Sequence, residues 1–120
     1  MAQELPRLAA QLAKARSRIA ELTQSHKRVQ AQIAALEQQE AELERQAAVA
    51  RRMAREDLAL KAQARRQEAQ SQRAALAVQF AQLLDEEAKL TSSAQQLQAR
   101  KARIYRLGLP GQDGEDPVAT

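Results

Sequence analysis

The chain has 120 residues, Lys and Arg outnumber Asp and Glu by 19 to 15, and hydrophobic residues make up 44% while aromatics make up 2%. One domain is the most this length holds, and Ala, Leu, Gln, Arg and Glu in these proportions belong to long helices and coiled coils rather than to a compact core built from large side chains. There is no Cys, which excludes a disulfide framework and a thiolate metal site and fits a reducing compartment.

The N-terminus, MAQELPRLAA, lacks the apolar run of a signal peptide. No stretch approaches the ~20 apolar residues of a membrane-spanning helix. Pro6 suits a first helical turn, where its missing N–H leaves nothing unsatisfied. From Arg7 to Leu107 neither Gly nor Pro interrupts the chain, so this whole stretch is expected to be helical.

The first arm, about 5–53, carries apolar residues alternately three and four apart. The series runs Leu5, Leu8, Leu12, Ala15, Ile19, Leu22, His26, Val29, Ile33, Leu36, Glu40, Leu43, Ala47 and Ala50. That is the a/d seam of a coiled coil. Continued in phase it meets Asp57, Lys61 and Glu68, and stops. A second seam in another phase runs Ala62, Arg66, Ala69, Arg73, Leu76, Phe80, Leu83, Glu87, Leu90, Ala94, Leu97, Lys101 and Ile104. Two helices packed on each other explain the change of phase. The fold class expected is all-α, a long antiparallel two-helix coiled-coil hairpin.

The fold-back is testable within the sequence, because facing positions of such a hairpin share a constant total of residue numbers. Leu8 with Ile104, Ala15 with Leu97, Leu22 with Leu90, Leu36 with Leu76 and Ala50 with Ala62 all total 112, while Ile33 with Phe80 totals 113. The polar seam residues then meet in complementary layers: Glu40 faces Arg73 and His26 faces Glu87. Such layers set register more than they stabilise. The bend falls near residue 56, with a tip at about 54–58 and a second arm at about 58–107. Arg51, Arg52 and Arg55 end the first arm and Glu56 and Asp57 open the second, matching the helix dipoles; Asp57 also has the residue type of an N-cap. Each arm spans about 70 Å at 1.5 Å per residue. Gly108 is a stop signal, and 108–120 (GLPGQDGEDPVAT) reads as a disordered tail.

The segment Gln46–Gln67, QAAVARRMAREDLALKAQARRQ, resembles the phage shock protein A family, which includes the vesicle-inducing protein of plastids. That family has the pattern KA-x-x-AL-x-x-x-REDLAR-x-AL at the tip of a long hairpin. Ala47, Ala50, Arg55, Glu56, Asp57, Leu58, Ala59 and Ala62 match it. Ser25–Ile33 (SHKRVQAQI) looks like a further family stretch, and the likeness extends loosely over residues 5–106. The resemblance implies an ESCRT-III-like membrane-stress protein, in which the hairpin binds homologues, an AAA+ transcription activator or the inner membrane face. Only Met1–Leu5 precede the first arm, where the family has an amphipathic helix, so a stand-alone hairpin that partners a longer homologue is expected.

Candidate sites follow. Arg55, Glu56, Asp57 and Leu58 are the expected partner-binding tip, weighed against simple turn chemistry. His26, Glu87, Glu40 and Arg73 are register-setting layers. Arg100, Lys101, Arg103 and Arg106 are basic residues for contact with anionic lipid, weighed against cations that merely suit a helix C-terminus. Asp85, Glu86 and Glu87 form a carboxylate cluster, but acid–base work needs a water-excluding cleft. His26 has no second ligand at helical spacing. No catalytic residue, cofactor or metal site is therefore expected, and without stacking aromatics no nucleic-acid partner either. The expectation is a cytoplasmic, non-catalytic interaction protein, peripheral at most at the inner membrane and homo-oligomeric, because Ala-rich seams bury little area. The alternative is a purely structural coiled-coil spacer or assembly subunit.

Overall fold

The computed structural model describes residues 3–108; the expected disordered tail lies outside them beyond Gly108. It contains two helices, α1 (Glu4–Arg52) and α2 (Glu56–Gly108), which pack antiparallel as a helical hairpin. The Gln3 carbonyl accepts the first helical bond of α1, from the Arg7 N–H at 3.3 Å. Pro6 thus sits in the first turn, where its missing donor is harmless.

Burial follows the two expected seams. In α1, Leu8, Leu12, Ala15, Leu22, Val29, Leu43, Ala47 and Ala50 are buried, and Leu5, Ile19, His26, Ile33, Leu36 and Glu40 are half-buried. In α2, Ala62 and Ala69 are buried, and every other seam position from Arg66 to Ile104 is half-buried. No α2 position outside that seam is protected except Ala59. Ala59 is fully buried, at 0% exposure, and extends the seam one step back toward the turn.

Among the described residues, two compact units divide the chain: residues 24–84, which include the turn, and residues 3–23 with 85–108. In the turn-containing unit, the Arg73 guanidinium grips the Glu40 carboxylate through two donors, Nη2 lying 3.2 Å from Oε1. This is the expected polar layer. The His26 ring meets Phe80 edge-on, centroids 5.9 Å apart, a geometry in which the ring edge faces the π-cloud. Nearest the turn the buried positions are all Ala: Ala47, Ala50, Ala59 and Ala62. Small side chains let two helices approach closely.

In the other unit, Leu8, Leu12, Ala15 and Leu22 carry the buried stripe, with Leu22 at 1% exposure. Polar bonds border it. Arg18 bridges Glu21 and Glu86, at 3.3 and 3.0 Å, Arg16 donates to Gln98 at 3.2 Å, and Arg100 donates to Glu4 at 3.2 Å.

The reversal takes three residues, Met53, Ala54 and Arg55, one to three earlier than the expected tip at 54–58. The sequence offers no Gly here. Ala54 instead adopts a left-handed conformation, φ 58°. The Ala54 N–H donates to the Arg51 carbonyl at 3.0 Å and the Arg55 N–H to the Ala50 carbonyl at 2.7 Å. These are the two bonds of a Schellman motif, with Ala where Gly is usual. The Arg55 carbonyl then accepts from the Ala59 N–H at 3.1 Å, which makes Arg55 the cap residue of α2. Asp57, two residues inside α2, is therefore not the N-cap. One link ends α1 and starts α2 without a spare residue.

Candidate turn-end docking site

The turn presents more apolar surface than the seam requires. Met53 is 68% exposed and Leu60 57% exposed, and Val49 and Leu58 are also exposed. Their place follows from helical geometry. Val49 and Met53, four apart, share the face of α1 adjoining the seam, and Leu58 begins the matching face of α2. With Ala50 and Ala62 they line a groove of about 600 Å³, whose edges carry Glu42, Arg45, Gln46, Arg55, Lys61 and Arg65.

Of the four expected tip residues, Arg55 and Asp57 hold each other. Arg55 Nε lies 3.2 Å from Oδ1 of Asp57 and Nη2 3.1 Å from Oδ2, a bidentate pair. The Arg55 guanidinium, aided by the backbone N–H groups of Leu58 and of Asp57 itself, holds the Asp57 carboxyl below the usual carboxylate range. Asp57 thus serves the helix N-terminus, where anions are favoured, and Glu56 and Leu58 are left exposed beside it. Val49, Met53 and Leu60 were not singled out by the sequence. The signal was present: they are large apolar residues off both seams.

The polar layers differ. The Arg73 side chain holds the Glu40 carboxyl below its usual range, and the Glu40 side chain is 13% exposed. The single proton of the Thr23 hydroxyl lies between two acceptors, Glu87 Oε2 at 2.7 Å and the Ile19 carbonyl at 2.9 Å, one donor shared by both. Thr23 was absent from the expected layers because Thr is common on solvated helix faces.

The Asp85–Glu87 cluster is dispersed among different partners. Asp85 pairs with Lys89 at 3.1 Å, Glu86 with Arg18 and Glu87 with Thr23. Among the described residues no group of three or more His, Cys, Asp or Glu is placed to hold a metal ion.

The four basic residues expected to meet lipid also part company. Arg100 is engaged by Glu4 and Lys101 occupies a half-buried seam position. Arg103 and Arg106 are exposed, beside exposed Tyr105 and Leu107. Among the described residues no helix is long and apolar enough to cross a membrane.

No protein-family model, curated protein or solved structure matches this chain.

Proposed function

We propose that this chain is a non-catalytic interaction protein, a helical hairpin that offers its turn end to a protein partner in membrane-stress response or membrane maintenance. One observation carries the docking part. Large apolar side chains gather around the turn, outside a seam that small Ala residues already close. Exposed apolar clusters with a polar border mark interaction surfaces. The membrane setting rests on the resemblance of Gln46–Gln67 to the phage shock protein A family, and on exposed Arg103, Arg106, Tyr105 and Leu107, which suit a peripheral contact with anionic lipid. The partner class is a homologue, a second copy or an AAA+ activator, met at the cytoplasmic face of the inner membrane.

A photo-crosslinking amino acid installed at Met53, and separately at exposed Gln30 on the arm, tests the reading in living cells. A discrete adduct from position 53 and none from position 30 is expected. Val49→Asp and Leu58→Asp, at exposed groove-lining positions, should lower its yield while helix content by circular dichroism stays constant. Equal labelling from both positions, or none, would leave the chain a structural spacer.

A further inference from the structure

Resting on the proposal that the turn end docks a protein, we infer that its groove takes an amphipathic helix whose apolar stripe is flanked, on one side, by carboxylates four residues apart. The groove supplies the shape. From Glu42 on α1 to Met53, the first link residue, the groove spans about 17 Å at 1.5 Å per residue, so three helical turns fit along it. Exposed Val49, Met53 and Leu58 line it together with buried Ala50 and Ala62 and with charged Glu42, Arg45, Lys61 and Arg65, which suits the apolar stripe of a third helix laid between two others. The helices of the hairpin have spent their own backbone donors and acceptors, so an extended strand would bring unsatisfied backbone to this surface. A helix satisfies its own.

Charge supplies the specificity. Residues 46–66 hold six basic side chains, Arg51, Arg52, Arg55, Lys61, Arg65 and Arg66, against Glu56 and Asp57; the other residues carry 13 of each sign. The formal net charge of +4 therefore resides wholly in the turn segment. Along the groove the two edges differ. On α1 Arg45 is neutralised by Glu42, and at the turn Arg55 is neutralised by Asp57. On α2 Lys61 and Arg65, four apart on one ridge, have no ion pair among the described residues. A bound helix is thus drawn to set its carboxylates against α2, which fixes its orientation as well as its chemistry.

The test uses the full chain and two synthetic helical peptides of about 18 residues, or five turns. Both carry a Leu stripe; one bears Glu at positions i and i+4 beside it, the other Lys. Fluorescence anisotropy should show the Glu peptide binding about tenfold tighter than its twin, in line with two partly exposed ion pairs. Lys61→Glu combined with Arg65→Glu should reverse that order, and Met53→Asp should weaken both peptides. Equal affinity for the twins, a preference unmoved by the double variant, or Met53-dependent binding to phosphatidylglycerol vesicles with none to either peptide would overturn the inference. Cellular crosslinks from position 53 that survive the double variant would overturn it too, leaving turn-end docking intact. Loss of the crosslinks from the unaltered chain would instead remove the docking proposal itself.

Discussion

Ala54 offers a test in which the sign of the effect is the informative quantity. It occupies the left-handed region at φ 58°, where an L-residue with a Cβ is disfavoured by roughly 1–2 kcal/mol. Glycine escapes that cost but loses more freedom on folding, by roughly 0.5–1 kcal/mol. The difference predicts that Ala54→Gly stabilises the hairpin by about 0.5–1 kcal/mol, the opposite of what Gly does inside a helix. Ala41, exposed in the middle of α1, is the control: Ala41→Gly should destabilise by about 1 kcal/mol. Urea denaturation followed at 222 nm, at one fixed protein concentration because association would shift the midpoint, resolves a gap of about 1.5–2 kcal/mol between the variants. Ala54→Val, with a branched side chain at the same φ, should fall below the parent. If Ala54→Gly destabilises as Ala41→Gly does, residue 54 continues a helix in solution, and the three-residue reversal is wrong.

Other consequences are measurable in the same preparation. Leu22→Ala should cost about 2–4 kcal/mol by urea denaturation, and Leu90→Ala, at a half-buried position, distinctly less; equal losses would contradict the asymmetric burial. Arg73 depresses the folded-state pKa of Glu40, so the unfolded chain binds the proton more tightly. The layer's stability is therefore fully present above the ordinary carboxylate pKa and fades as pH falls through the depressed value. Acid titrations of the parent and of Glu40→Gln should then diverge at neutral pH and converge in acid, and parallel curves would dismiss the layer's contribution. Arg103→Glu and Arg106→Glu should each weaken sedimentation with anionic vesicles by about fivefold at low salt, with the difference shrinking at high salt; no effect on sedimentation would dissociate this end of α2 from lipid.

Most of the fold was legible because a coiled-coil seam is steric periodicity written directly into residue spacing. Every position read into a seam from Leu5 to Ala50 and from Ala62 to Ile104 is buried or half-buried, and Glu40 meets Arg73 as opposite charge in facing positions required. The turn was less legible. Its left-handed residue is Ala54 rather than Gly, so no composition signal marked it, and the expected tip fell slightly late. Asp57 looked like a cap by residue type, yet the Schellman link consumes Met53–Arg55 and gives the capping position to Arg55. Ala59 lies one step before Ala62, at which the second seam begins by spacing alone, and only the close approach of the helices at the turn brings it into that seam. At the candidate site, Arg55 and Asp57 stood out by charge, while Val49, Met53 and Leu60 were passed over. Exposure depends on which way a helix faces its neighbour, and off-seam apolar residues declare it only once the seam is fixed.

The run of buried Ala beside the turn ties side-chain volume to chain length. Three residues suffice to reverse direction only while the two axes lie close, so Ala59 and the link Met53–Arg55 cannot vary independently. A Leu at 59 would push the axes apart and call for added link residues, whereas Gly insertions into the link alone would leave slack that the small side chains cannot take up. Compensating pairs, a bulkier residue at 59 with a lengthened link, should be tolerated where either change alone is not.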